Sequence, residues 1–71
     1  MTARFNARHD LTGARVQLTV ELEGACGRVL LTGDAGADAR ELKRAALWLA
    51  QERGATGAQL SNGWDVTRVR D

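Results

Sequence analysis

The chain has 71 residues, with ten basic and nine acidic side chains and a formal net charge of +1 at pH 7. This length suffices for one small domain with a thin core, since so short a chain buries only about 60% of its unfolded surface. The near-neutral charge excludes a general electrostatic attraction to nucleic acid or to a membrane surface.

The N-terminal residues 1–13 are polar, with Phe5 and Leu11 as their large apolar side chains. This composition predicts a flexible basic arm, or at most a short edge segment that is held by Phe5. The folded domain is then expected to cover residues 14–71. The basic side chains in and beside the arm are Arg4, Arg8 and Arg15.

Two strands are predicted next, near residues 15–23 and 27–32. The first segment alternates between apolar and polar side chains, as a strand does when one face is buried and the other faces water. A glycine-containing turn separates it from the second. The predicted inward side chains are Val16, Leu18, Val20, Leu22, Val29 and Leu31. The predicted outward side chains of the second strand are Arg28, Leu30 and Thr32.

A helix is predicted near residues 39–53. Asp38 followed by Glu41 is a variant of the capping box, which starts a helix. Gly54 ends the helix, and Arg53 in the last turn suits the helix dipole. The apolar stripe with helical spacing consists of Leu42, Ala45, Ala46 and Leu49.

The last predicted element is a strand near residues 64–70, preceded by the hairpin signal Asn62-Gly63. Its region supplies the predicted inward side chains Leu60, Trp64 and Val66. The elements add up to an α+β fold, a small antiparallel sheet of three to four strands with one helix on one face. The order is ββαβ, or ββαββ if "AQLS" pairs as a strand of its own. The other face of the sheet is expected to be open to water.

Residues suited to catalysis are scarce. A single histidine, His9, cannot build a histidine-based metal site or triad from this chain alone. Asp34 and Asp38 are too few for a calcium loop, and "GDAG" lacks the Lys-Ser/Thr of a P-loop. Only Arg28 lies near Cys26 in the sequence to activate its thiol. We therefore expect a protein that is not an enzyme and has no metal site and no cofactor.

The cellular compartment is predicted from what the sequence lacks. One cysteine excludes an intramolecular disulfide and is typical of a reducing compartment. No apolar run reaches the roughly 20 residues that span a bilayer, and the first residues lack the apolar core of a secretory signal. We expect a cytoplasmic protein with no membrane partner.

The predicted helix raises one question about surfaces, because Leu47, Trp48 and Leu49 are consecutive. Successive helical side chains point about 100° apart, so the three cannot all face one core. With the apolar stripe buried, Leu49 faces the core, Leu47 faces solvent and Trp48 lies at the boundary. Exposed Trp and Arg side chains dominate binding hot spots, which predicts a partner-binding surface here. It consists of Arg40, Arg44, Leu47, Trp48 and Gln51.

Alternatives to this surface remain open. Trp48 can instead fold over a sheet edge to extend the core, with Leu47 as an isolated exposed leucine. A homodimer can form if the Leu47 and Trp48 faces of two copies meet around a two-fold axis. A nucleic-acid-binding domain would use the basic arm and the open sheet face. Its predicted contacts are Arg4, Arg8, Arg15 and Arg28.

The segment "ARELKRAALWLAQERGATGAQLSNGWDVTRV" has a helix followed by a strand, within a layout that covers residues 15–70. This layout, with its Trp/Arg surface, resembles that of small phage-encoded inhibitors, including type I anti-CRISPR proteins. The resemblance implies a non-enzymatic protein-binding module that acts on a host protein or ribonucleoprotein, such as a Cas surveillance complex. It would block the target DNA or the nuclease of that complex. No motif carries a family site over to individual residues, so the predicted site depends on helix geometry.

Overall fold

The computed structural model describes residues 1–24, 26–52 and 54–70. In this part of the chain, five strands and one α-helix follow one another in the order βββαββ. The elements are β1 (Thr2–His9), β2 (Arg15–Glu23), β3 (Cys26–Thr32), a 3-10 turn (Gly36–Asp38), α1 (Ala39–Gln51), β4 (Gly57–Gln59) and β5 (Trp64–Arg68). The strands form one antiparallel sheet in the order β3-β2-β1-β5-β4. The predicted α+β class, with one helix and a small antiparallel sheet, is confirmed, whereas the predicted number and order of strands are wrong.

The N-terminal segment accounts for most of that error. Residues 1–13, predicted to be a flexible arm, contain β1, which pairs with β2 on one side and β5 on the other. Ala3, Phe5 and Ala7 alternate toward the helix and are buried. The period of two is thus present in the sequence, but two of its three inward positions are alanines, which carry little hydropathy signal.

The other strands lie close to their predicted positions. β2 has the predicted bounds, β3 starts one residue earlier, at Cys26, and β5 ends at Arg68 instead of residue 70. The separate strand considered at "AQLS" exists as β4, shifted toward Gly57. Its register with β5 pairs Ala58 with Val66.

The core lies between α1 and one face of the sheet. Its largest fully buried side chains are Phe5, Leu18, Leu42, Leu49, Val20 and Val66. Trp64 on β5 is also buried, and its indole Nε1 donates a hydrogen bond to Asp38 Oδ2 (3.0 Å). α1 begins after Asp38, as predicted, but this carboxylate makes no side-chain capping bond to the helix. The Asp38 carboxylate accepts its hydrogen bond from the Trp64 indole instead of from the N–H groups of the helix.

The C-terminal end of α1 is held by β5. The helix ends at Gln51, with Glu52 as its C-cap, and the predicted last-turn residue Arg53 lies outside the described residues. Arg68 Nη2 donates to the carbonyl oxygen of Leu49 (2.6 Å), and its guanidinium lies 5.3 Å from the centroid of the buried Phe5 ring. A cation near the last carbonyl groups of a helix is favoured by the helix dipole.

His9 joins two turns of the sheet. Its Nδ1 accepts the backbone N–H groups of Leu11 (3.2 Å) and Thr12 (3.3 Å), and its Nε2 lies 3.0 Å from the carbonyl oxygen of Asn62. A neutral ring that accepts at Nδ1 donates from Nε2. The ring also packs edge-on against Trp64, with the centroids 5.2 Å apart. His9 therefore has a structural role at the end of β1.

Candidate functional site

The orientation of α1 decides which of its side chains reach solvent. Its buried side chains are Leu42, Ala46, Leu49 and Ala50. The sequence interpretation had Ala45 in this stripe and omitted Ala50. With Ala50 in the buried stripe instead of Ala45, the centre of the buried face lies about 35° further around the helix axis, toward Leu47 and away from Trp48. The helix therefore presents these two side chains differently from the prediction.

Leu47 is half-buried and packs against the core from the β3 side of the helix. It lies over Gly27, where an added Cβ would collide with Leu47 Cδ1 and lie 2.9 Å from Leu22 Cδ2. Because Gly27 on β3 has no side chain, it leaves the space that Leu47 fills. The prediction that Leu47 faces solvent is wrong, because the leucine belongs to the layer between α1 and β3.

Trp48 lies on the other side of α1 and is 55% exposed. Beside it, the helix and the β4 end of the sheet form a shallow groove of about 510 Å³. We call this the Trp48 groove, and its lining residues are Glu41, Arg44, Ala45, Trp48, Ala58 and Leu60. Trp48 shares this groove with Ala58 and Leu60, but more than half of its surface is accessible to solvent.

Three other predicted contact residues share this exposed side of the helix. Arg40, Arg44 and Gln51 are exposed, and helical geometry places them within about 80° of Trp48 around the axis. The structure therefore brings together four of the predicted partner-binding residues, whereas Leu47, only about 20° from Arg40 around the axis, is half-buried against the core. Sequence reasoning missed the wall of the groove that comes from Ala58 and Leu60.

The open face of the sheet carries the arginines that the sequence assigned to the arm and the second strand. β1 places Arg4 and Arg8 on this face, and Arg15 on β2 lies directly opposite Arg8. Arg28 on β3 lies opposite Glu21. A polar row crosses four strands and consists of Thr32, Gln17, Asn6 and Thr67. The four arginines predicted as nucleic-acid contacts thus lie on one face of the sheet, which has a shallow cavity of about 650 Å³ above the polar row.

Carboxylates interrupt the positive charge of this face. Asp65 on β5 lies opposite Arg8 in the register with β1. A side-chain hydrogen bond with Asp10 raises the pKa of Asp65 above its ordinary value, as do the loss of hydration and the Asp10 charge, while Arg8 lowers it. Two adjacent carboxyl groups therefore share this corner of the arginine-bearing face.

Among residues 1–24, 26–52 and 54–70, no three His, Cys, Asp or Glu side chains come together in a group that could hold a metal ion. No helix in the described part of the chain has the length and apolar character needed to cross a membrane. Comparison of the chain with protein-family models, curated proteins and solved structures gave no match. The Trp48 groove and the arginine-bearing face are thus the two surfaces from which a function can be inferred.

Proposed function

We propose that this protein is a non-enzymatic protein-binding module that contacts its partner through the Trp48 groove. The observation that carries the proposal is the 55% exposure of Trp48 beside other half-buried apolar side chains. A large aromatic ring in water forgoes the stabilisation that its burial would give. Such rings, together with Arg, are enriched in binding hot spots.

The lining of the groove combines apolar and charged side chains. Ala45, Ala58 and Leu60 line it together with the indole of Trp48, and Arg44 and Glu41 line it as well. Protein interfaces likewise combine apolar side chains with polar and charged groups. A standard interface covers about 800 Å² on each partner, which is roughly one sixth of the 5096 Å² surface of this chain. The contact would thus extend from the groove over the exposed side of α1.

A small binding module acts by occupying a surface that its partner needs. The layout resemblance to phage-encoded inhibitors supports an inhibitor from a phage or mobile element, acting in the cytoplasm. Its target would be a host protein or ribonucleoprotein complex, such as a Cas surveillance complex. The absence of a cofactor and of catalysis is part of this proposal.

The test compares Trp48→Ala with Lys43→Ala, a change at an exposed helix residue on the other side of α1. A partner is captured from a host lysate with the wild-type protein and purified, and its affinity for all three proteins is measured. Loss of a hot-spot Trp costs about 2 kcal/mol or more, so Trp48→Ala should weaken binding at least about 30-fold. Lys43→Ala should change it less than about twofold. Equal affinity of wild type and Trp48→Ala would refute the proposal.

Nucleic-acid binding through the open sheet face is a second candidate function. It is favoured by the placement of Arg8, Arg15 and Arg28 on one face beside the amide side chains of Asn6 and Gln17, which are residue types that read base edges. The aromatic residues of the chain are Phe5, Trp48 and Trp64, and none lies on this face to stack with bases. We rank this function second because Asp65 and Glu21 also reduce the positive charge there.

A salt titration separates the two candidates. Binding to phosphates releases counterions, so the affinity for an oligonucleotide would fall steeply between about 50 and 200 mM salt. We expect no such binding by the isolated wild-type protein to duplex or single-stranded DNA or RNA. Strong, salt-sensitive binding that Arg15→Gln weakens would favour the second candidate.

A further inference from the structure

The edge of the sheet beside the Trp48 groove has a defined hydrogen-bonding pattern. The Leu60 N–H donates to the Trp64 carbonyl oxygen (2.8 Å), and the Arg68 N–H donates to the Thr56 carbonyl oxygen (2.7 Å). Hydrogen-bonded and non-hydrogen-bonded pairs alternate along an antiparallel ladder. Every second residue from Thr56 to Leu60 therefore directs its backbone groups toward β5.

The residues between them direct their backbone groups away from the sheet. These are Gly57 and Gln59, and in the described part of the chain the sheet order ends at β4. The outward N–H and C=O groups at such an edge are the groups with which an added strand pairs. β4 has no charged residue and no proline, which are two of the features by which edge strands commonly block such pairing.

The Trp48 groove lies on the helix side of this same edge. Ala58 faces the helix side and lines the groove, whereas the neighbouring Gly57 and Gln59 are exposed. A strand laid along β4 would place alternate side chains, about 6.7 Å apart, on the helix side as well. One of these side chains would lie against the indole of Trp48, where an apolar side chain is favoured.

We propose that the partner contributes an extended segment, which adds to the sheet as a strand along β4 and places an apolar side chain in the Trp48 groove. This inference rests on the proposed function, because it specifies how the partner occupies that groove. The backbone pairing defines the shape of the occupant, and the groove defines the side chain that it carries. β4 has only three residues, so pairing and groove contacts share the affinity.

The experiment uses the intact protein and a displayed library of random 12-residue peptides as the probe. Selected peptides are synthesised, and their affinities are measured by fluorescence anisotropy for wild type, Gln59→Pro, Gln59→Ala and Trp48→Ala. Proline at position 59 removes an N–H that points outward and leaves the Ala58–Val66 pairing intact. Gln59→Ala is the matched control, because it removes the side chain and keeps the N–H.

The proposal expects peptides with alternating apolar residues, and at least tenfold weaker binding by both Gln59→Pro and Trp48→Ala. Gln59→Ala should stay within about twofold of wild type. A second measurement leaves the protein unchanged: N-methylation of the peptide at one set of alternate residues should abolish binding, and at the other set it should not.

The results of these measurements distinguish a failure of strand addition from a failure of the proposed function. If Trp48→Ala weakens binding but neither Gln59→Pro nor peptide N-methylation does, strand addition is refuted and the proposed function stands. If Trp48→Ala has no effect on the selected peptides or on a captured partner, the proposed function fails as well. A library that yields no binder overturns strand addition. A dimer in sedimentation that Gln59→Pro dissociates would identify a second copy as the occupant, which also overturns it.

Discussion

Truncation of Phe5 distinguishes a central strand from a flexible arm. In the structure this side chain is 1% exposed, on the strand that lies between β2 and β5. Replacing a buried phenylalanine by alanine costs about 3–5 kcal/mol through lost burial and the cavity that remains. The Arg68 guanidinium over the ring adds a cation–π contact of about 0.5–1 kcal/mol. We therefore expect Phe5→Ala to lower the free energy of unfolding by about 3.5–6 kcal/mol.

This loss is large for so small a protein. At roughly 0.05–0.15 kcal/mol per residue, 71 residues give a total stability of about 4–11 kcal/mol. The loss moves the folding equilibrium by about three orders of magnitude, so Phe5→Ala is partly or largely unfolded at the lower end of that range. Urea denaturation followed by circular dichroism measures the change. The control is Leu11→Ala, because this side chain is 90% exposed and its removal should cost under about 0.5 kcal/mol.

The two hypotheses give different results in this assay. A flexible arm would let Phe5→Ala and Leu11→Ala unfold at nearly the same urea concentration. A difference between them of less than about 1 kcal/mol would refute β1 as a central strand. It would also remove the reason for placing the arm's arginines on the open sheet face.

Two further predictions concern the helix and the carboxyl pair. Leu47→Ala should lower the free energy of unfolding by about 1–2 kcal/mol, because the leucine packs over β3. Trp48→Ala should lower it by under about 1 kcal/mol, because the larger tryptophan is mostly exposed. Chemical denaturation measures both changes, and a cost under about 0.5 kcal/mol for Leu47→Ala would support the helix orientation predicted from the sequence. Because the pKa of Asp65 is raised by its hydrogen bond to Asp10, the stability that protonated Asp65 contributes is present below its ordinary value of 3.8 and is lost as the pH rises through the raised folded pKa. Asp65→Asn should therefore raise Tm at pH 7 and lose this advantage in thermal melts below pH 4. A lower Tm at pH 7 would mean that Asp65 acts mainly as a partner for Arg8.

The strands in which large apolar side chains alternate with polar ones were predicted correctly from the sequence. The strand in which this alternation is weak was not predicted. β2 was found because four large aliphatic side chains alternate along it. β1 was missed because Ala3 and Ala7 flank Phe5, and alanine is compatible with loops, helices and strands alike. That β1 lies in the centre of the sheet could not be predicted, since its pairing with β5 joins residues about 60 positions apart.

Of the residues in the candidate site, the sequence predicted only residues on α1. The 100° step between helical residues correctly separated Leu49 from Trp48, because it depends on local geometry alone. Leu47 was misplaced because the buried side was centred without Ala50, a small residue whose burial depends on where the sheet lies. The Ala58 and Leu60 wall of the groove depends on tertiary placement of β4, which no local pattern specifies.

The width of the sheet explains why a groove exists at this place. Strands lie about 4.8 Å apart, so the strands of the described sheet span roughly 19 Å between its two edges, whereas a helix with side chains is only about 10 Å wide. α1 packs mainly on β2 and β3, where Gly27 lets Leu47 approach closely. The helix-facing side of the sheet near β4 therefore lies beyond the width of α1, and Trp48 is the largest helix side chain that lines the groove there. The Trp48 groove thus lies beside the edge strand β4 because α1 packs toward the opposite edge of the sheet, which is why the groove and the edge are proposed to bind the same partner segment.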